Sequence, residues 1–387
     1  MNQFPQKEKF NLEQGITYLN TAFSAPLSKK AEEIGIAALK EKSRPYNSTG
    51  ADFFEPTEKL KSLFSELIDA PNPEHIAIIP SVSYGISIVA KNVCLKEGDE
   101  IIIVGEQFPS NFYAWKRVAN KYKAIIKTVS APNTEENRGQ KWNQNILAAI
   151  TEKTAVITIP NIHWADGTIF NLKEIREKAT ANNALLIIDG TQSIGALPFS
   201  VNEIKPDAVI CAGYKWLMGP YSLGLAYFGE HFNNGIPLEE NWINRKNSED
   251  FSGLVNYEDE YKEGAYRFNM GEMSNFNLVP ILTQTIGQLI EWTPKNIQNY
   301  CNEITQDAIE ELRMMHCYIE EDKYRAKHLF GIKLADNMDI NRLQEEFKAN
   351  NVYVSIRGEY IRVSTHVFNT KEDLQVLVNC FRLSVSF

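Results

Sequence analysis

The chain has 387 residues, more than one ordinary hydrophobic core accommodates, so two domains are expected. Its 43% hydrophobic and 23% charged content is that of a globular protein, and a net charge of −9 without a basic stripe argues against nucleic-acid binding. No run of about 18 apolar residues exists, so no membrane-spanning helix is expected.

The opening residues, MNQFPQKEKFNLEQG, are polar and mixed in charge and lack the apolar stretch of a secretory signal. The five cysteines are scattered, with no CxxC pair. Both features point to a cytoplasmic protein with reduced thiols. The histidines form no HExxH-type pair, so no metal site is expected.

From residue 75 to 228, short Ile- and Val-rich runs alternate with helical patterns. Strands are expected at 75–80, 100–104, 124–129, 155–159, 185–189, 208–212 and 223–228. Helices are expected between them at 84–93, 111–121, 143–150 and 172–182. Runs without polar alternation read as strands buried on both faces. The fold class is therefore α/β, a mostly parallel seven-stranded sheet with helices on both faces and its site at the carboxyl ends of the strands. Residues 238–264 read as an irregular polar segment. Beyond them come two long helices, 277–292 and 295–315, divided at Pro294. A strand at 329–334, a helix at 340–350, strands at 352–356 and 360–364, and a final helix at 371–383 complete a smaller α+β domain. The expected division is an N-terminal segment, 1–20, that joins the small domain, a large domain, 21–270, and a small C-terminal domain, 271–387.

Two strand ends carry the chemistry. Leu185-Leu186-Ile187-Ile188-Asp189-Gly190-Thr191-Gln192 delivers an aspartate after an apolar strand. Val209-Ile210-Cys211-Ala212-Gly213-Tyr214-Lys215-Trp216 delivers a lysine after the next one. Neighbouring parallel strands would bring both into one crevice. Pyridoxal 5′-phosphate needs this pair: a lysine amine that forms a Schiff base with its aldehyde and moves the substrate's Cα proton, and a carboxylate that keeps its ring nitrogen protonated. A lone aspartate or lysine is ordinarily a solvated charge. Lys215 differs in sitting between two aromatics just after an apolar strand.

With these segments, the chain resembles the class V aminotransferase group of fold-type I pyridoxal-phosphate enzymes. That group includes cysteine desulfurases, kynureninases and isopenicillin N epimerase-like proteins. The resemblance runs from Tyr18-Leu19-Asn20 to Asn369-Thr370. It implies a phosphate cup at Ser81-Val82-Ser83-Tyr84-Gly85, with Val82 and Ser83 as its binding residues at a helix start. It implies Phe108, in Phe108-Pro109-Ser110-Asn111, as the aromatic over the cofactor ring. It implies Gln192 beside the phenolic oxygen, and Tyr214 as a phosphate contact where desulfurases have a serine at the position of Ala212.

His163 and Trp164, in Asn161-Ile162-His163-Trp164-Ala165-Asp166-Gly167, would rim the crevice, and Asn20 would line the substrate side. Arg362, in Tyr360-Ile361-Arg362-Val363-Ser364, matches the arginine that grips the substrate's α-carboxylate, with Arg357 as a second candidate. The segment around Tyr266–Glu272 matches one that reaches the partner subunit's phosphate. This implies a homodimer with shared sites and gives Ser274 and Asn275 that contact.

Desulfurases carry a thiolate on the loop before the arginine. Here that loop, Ser355-Ile356-Arg357-Gly358-Glu359, has none, and Cys380 lies on the last helix. The expected reaction is transamination between an amino acid and a 2-oxo acid. A β-lyase of the kynureninase or C–S-cleaving type is the alternative, favoured by Phe108 and Tyr214, and an epimerase is a further one. The non-enzymatic alternative, an inactive cofactor-binding relative, is disfavoured by the joint presence of Lys215, Asp189 and Arg362.

Overall fold

A computed structural model describes residues 4–384. In chain order its strands are β1 (Thr17–Tyr18), β2 (Ile76–Ile79), β3 (Glu100–Val104), β4 (Ile125–Val129), β5 (Thr154–Pro160), β6 (Leu185–Asp189), β7 (Ala208–Ala212), β8 (Gly224–Phe228), β9 (Leu329–Lys333), β10 (Val352–Tyr353), β11 (Ser355–Arg357) and β12 (Tyr360–Ser364). Seven of them form one sheet in the order β2-β8-β7-β6-β5-β3-β4. Only β8 runs against its neighbours, pairing antiparallel with both β2 and β7. The expected α/β fold with a mostly parallel seven-stranded sheet is therefore present.

The sheet is apolar on both faces because alternate residues of each strand feed different cores. Ile102, Ile157, Ile188, Val209 and Leu225 pack into one core, which includes Leu60 and Phe64 of the helix Glu55–Leu67 and Leu282 of the helix Val279–Trp292. Ile101, Val156, Ile187, Ile210 and Ala226 pack into the other, with Ile86 and Val89 of the helix Val82–Lys91. A third core gathers residues of the helices Pro294–Met314, Ile340–Ala349 and Lys371–Leu383 with β9 and β12. Above it lie the antiparallel sheet β11-β12-β9 and the parallel pair β1-β10. In the β11–β12 hairpin, Ser355 faces Arg362 and Arg357 faces Tyr360.

Several boundaries differ from the sequence expectation. The strand expected at 352–356 is two: Val352–Tyr353 pairs with β1 and Ser355–Arg357 pairs with β12. Apolar content was continuous across this stretch, but two different partners claim its halves. The helices Lys29–Glu41 and Glu55–Leu67 were not anticipated. The first carries a Ser28 cap, whose side chain accepts from the Ala31 N–H, and buries only Ala31 and Gly35. So narrow an apolar stripe is hard to read from sequence. The helix expected at 143–150 begins at Arg138, which is buried rather than solvated.

Candidate active site

The carboxyl ends of β5, β6 and β7 open onto a cavity of about 310 Å³ lined by Val82, Ser83, Phe108, Trp164, Asp189, Gln192, Tyr214 and Lys215, among others. A second cavity of about 390 Å³ shares Phe108, Trp164, Tyr214, Lys215 and Tyr221 with the first and adds Ala22, Phe23, Ser24, Arg357 and Arg362. The two form one cleft, with Lys215 at their junction.

Asp189 is the last residue of β6 and is buried. One of its oxygens accepts from the Thr191 N–H at 3.0 Å, and no cation lies within ion-pair distance of it among the described residues. Burial raises its pKa, which Thr191 and Lys215 partly counter. Lys215 follows Gly213 and Tyr214 beyond the end of β7. A side chain on Gly213 would strike the Leu223 carbonyl at 2.4 Å, so only glycine allows this turn. The Lys215 amine is buried, 5.5 Å from the Phe108 ring centroid and 5.6 Å from that of Tyr214. Burial first, and then the nearby Arg362 charge, lower its pKa to about 8.

The helix Val82–Lys91 starts at the rim, and the Ser81 side chain caps it by accepting from the Tyr84 N–H at 3.2 Å. The N–H groups of Val82 and Ser83 stand ahead of the first intrahelical bond and face the cavity end of the helix. The Ser81 and Ser83 hydroxyls lie 2.9 Å apart beside them. Phe108 meets Trp164 edge-on with centroids 5.4 Å apart. The Trp164 indole N–H in turn donates to the Glu106 carbonyl at 2.7 Å. Gln192 donates to the Ala22 carbonyl at 3.2 Å and accepts from the Trp216 indole at 2.8 Å, which leaves one amide N–H for a ligand.

On the opposite side Arg362 is 1% exposed. Its Nη1 donates to the Trp164 carbonyl at 3.0 Å, its Nε has no partner, and no carboxylate lies within ion-pair distance among the described residues. Burial and Arg357 lower its pKa to about 9. An unpaired buried guanidinium is costly, so its natural complement is an anion from outside the chain.

Four expected site residues do not line this cleft. His163 is buried against Trp142, centroids 5.0 Å apart, and its Nδ1 contacts Asp166 at 3.1 Å. It lies on the same strand-end loop as Trp164, but the turn sends it inward; its assignment to the substrate is corrected. Asn20 accepts from Ser355 at 2.8 Å and bridges to Ser364, so it holds the entry segment to the small sheet while Ala22, Phe23 and Ser24 reach the cleft. Ser274 donates to the Phe53 carbonyl, and the Asn275 side chain accepts from the Leu278 N–H just ahead of the helix Val279–Trp292. Both sit away from the cleft of their own chain. Tyr221 was missed: it lines both halves and stacks edge-on against Tyr214 at 4.7 Å. The sequence signal was the Gly219-Pro220 turn directly after the lysine segment.

The residues present fit pyridoxal 5′-phosphate. Lys215 offers a buried amine. Asp189 is a carboxylate with no cation of its own, suited to a protonated ring nitrogen. Phe108 offers a flat face, and the free N–H groups at the start of Val82–Lys91 offer an anion cradle.

Comparison with known proteins agrees. An uncharacterized aminotransferase of Bacillus subtilis is 22% identical, covering 92% of this chain and 90% of its own. A probable cysteine desulfurase of Halalkalibacterium halodurans is 27% identical over 92% of this chain and 90% of its own. Among solved structures, the apo cysteine desulfurase of Thermococcus onnurineus superposes with a TM-score of 0.81 at 17% identity, covering 97% of each chain. A complex of the cystine C–S lyase C-DES with cysteine persulfide gives 0.83 at 18% identity, covering 96% of this chain and 98% of the other. At these identities the structures establish a shared fold. The family model for aminotransferase class V matches residues 37–377, and the chain belongs to that family.

Proposed function

We propose that this protein is a pyridoxal-phosphate enzyme that transfers the amino group of an α-amino acid to a 2-oxo acid. The observation that carries the reading is Arg362: a buried guanidinium with an unpartnered Nε and no acid, facing the same cleft as the Lys215 amine. An α-amino acid supplies the missing carboxylate to Arg362 and places its amino group and Cα toward Lys215.

When bound, the cofactor supplies an electron sink that makes the Cα proton removable. Lys215 would hold it, Asp189 would hold its ring nitrogen protonated, and the N–H groups of Val82 and Ser83, with the Tyr214 hydroxyl, would take its phosphate. Phe108 would cover one face, and the spare Gln192 N–H would reach the phenolic oxygen. Arg362 then fixes the substrate as a two-pronged clamp. Lys215 Nζ, with its pKa lowered to about 8, would take and hold the Cα proton as a neutral base. Phe108 and Trp164 shield that transfer from water.

Transamination asks for no second acid–base group and no nucleophile beyond Lys215. In keeping with this, the cleft's lining among the described residues includes no histidine, no cysteine and no glutamate. A homodimer is part of this reading, with Ser274 and Asn275, turned away from their own cleft, directed to the partner's phosphate.

The test is the absorbance spectrum of the purified protein. A band at roughly 410–430 nm, lost in Lys215→Ala, is expected. An amino acid should bleach it and a 2-oxo acid should restore it. Formation of pyruvate, alanine or sulfide with the band intact would instead make the enzyme a lyase.

A further inference from the structure

The substrate half of the cleft holds a second cation that the reaction does not require. Arg357 lines it together with Arg362. Its Nη1 donates to the Ile356 carbonyl at 2.7 Å, and no carboxylate lies within ion-pair distance of it among the described residues. The nearest acid in sequence, Glu359, is committed to Lys333 at 3.2 Å. Among the described residues, the only acid lining either half of the cleft is Asp189, at the far end. In a chain of net charge −9, this patch is locally positive and unbalanced.

The hairpin fixes how the two arginines stand to one another. Ser355 faces Arg362, and Arg357 stands two residues further along β11, so both arginines project from the same face as diagonal neighbours. Such pairs have backbones about 7–8 Å apart. Their ends meet different parts of Trp164: Arg362 donates to its backbone carbonyl at 3.0 Å, while Arg357 lies over its ring, 5.7 Å from the centroid. Arg362 is fully buried, whereas Arg357 is half-buried nearer the mouth. One anion at the inner arginine therefore leaves the outer one unmet.

We propose that Arg357 is a specificity residue that binds a second anionic group, so that the substrate is an amino acid with an acidic side chain. The proposal rests on the reading of Arg362 as the α-carboxylate site. Each charge of the substrate then meets one guanidinium, with Trp164 against both. The presence of Arg357 also bears on chemistry at Lys215, because its charge contributes to the lowered pKa there. A substrate anion that neutralises it would make Lys215 more basic once bound.

The experiment uses glutarate and butyrate as probes, titrated calorimetrically into the purified protein and its Arg357→Gln and Arg362→Gln variants. Glutarate should bind at least tenfold more tightly than butyrate. Arg357→Gln should bring that ratio to near one while leaving butyrate affinity unchanged, and Arg362→Gln should weaken both. Equal affinities in the parent protein would mean that both arginines share a single carboxylate, and would overturn the proposal. So would a preference for glutarate that survives Arg357→Gln. The cofactor reading is separated by its own signal. If the dicarboxylate preference stands but no absorbance band forms, the enzymatic assignment falls and the two-anion site remains. If the band forms but the preference is missing, only the acidic-substrate proposal falls.

Discussion

Arg138 and Arg362 are both buried, and the fold treats them in opposite ways. Arg138 meets Asp166 at 2.7 Å and Glu320 at 3.1 Å, donates to Thr168, and lies against the Trp142 ring. Burial alone would lower its pKa, but Asp166, with Tyr360 and Glu320 behind it, carries it above the ordinary value. Arg362 has one carbonyl and no acid, and its pKa falls. A guanidinium whose charge is balanced within the chain ties elements together: Arg138 joins the 161–168 loop to the segment that carries Glu320. A guanidinium left unbalanced is destabilising unless something binds it. The difference separates an arginine that holds the cleft's wall from one that faces its contents.

The sharpest test of that separation begins with Lys215, the other buried cation without an ion pair among the described residues. Lys215→Ala should abolish the cofactor band and reduce turnover by at least about a thousandfold, since the base itself is gone. The fold should persist, because a buried amine with no partner is removed. Circular dichroism beside the kinetic assay checks both halves.

Next come the two arginines as a matched pair. Arg138→Gln leaves two buried carboxylates facing each other and should cost about 3–5 kcal/mol of stability in urea unfolding. Asp166 adds a pH signature. Burial would raise its pKa, but the His163 ring and Arg138 hold it well below the usual carboxylate range. A depressed acid stabilises the fold above its unfolded pKa, about 3.9, and that contribution is lost as the pH falls. Acid unfolding should therefore begin at higher pH in Arg138→Gln than in the parent. Arg362→Gln should do the reverse: stability changed by no more than about 1 kcal/mol, one hydrogen bond against a relieved charge, and kcat/KM lowered on the order of a hundredfold. If Arg362→Gln unfolds the protein as Arg138→Gln does, the contrast is wrong.

The sequence made the reactive half of this comparison visible and hid the structural half. Asp189 and Lys215 were legible because an apolar strand that ends in a charge, followed by glycine, has few structural uses. Arg362 was legible only through resemblance, since its burial depends on Trp164 from a distant loop. Arg138 carries no such signal: the helix was expected only from 143, and the network partners Asp166 and Glu320 are far away in sequence. His163 illustrates the same limit. Its place beside Trp164 at a strand end suggested the cleft, but the turn that points Trp164 outward turns His163 toward Trp142 and Asp166. The division of 352–356 between two sheets was equally hidden, since strand pairing is set by partners and not by the apolar run itself.

A smaller effect tests the field that Arg362 exerts on Lys215. The neutral Lys215 amine is the form that reacts with an aldehyde, and its pKa of about 8 makes that form abundant only from weakly alkaline pH upward. The rate of pyridoxal phosphate uptake by the apoprotein, followed by absorbance, should rise through about pH 8 and then level off. Arg362 is the largest electrostatic cause of the lowering after burial, so Arg362→Gln should move that midpoint upward. An unmoved midpoint would mean that burial alone sets the lysine. For stability the slope has the same sign as in the Asp166 case, because folding lowers both pKa values. Between the folded and unfolded pKa values the unfolded chain holds the extra proton, so this group makes the apoprotein more stable as pH rises through that window.

The least effect belongs to the ring that covers Lys215. Phe108→Leu keeps most of the apolar volume and removes the flat face 5.5 Å from the amine. A lost aromatic contact is worth about 0.5–1.5 kcal/mol beyond its area, so cofactor affinity should weaken roughly two- to tenfold. Phe108 also buttresses Trp164 edge-on, and Trp164 holds Arg362 through its carbonyl. Because that bond is made by backbone, butyrate binding at Arg362 should be unchanged in Phe108→Leu. A parallel loss of butyrate affinity would show that the aromatic pair, and not the loop backbone alone, sets the position of the buried arginine.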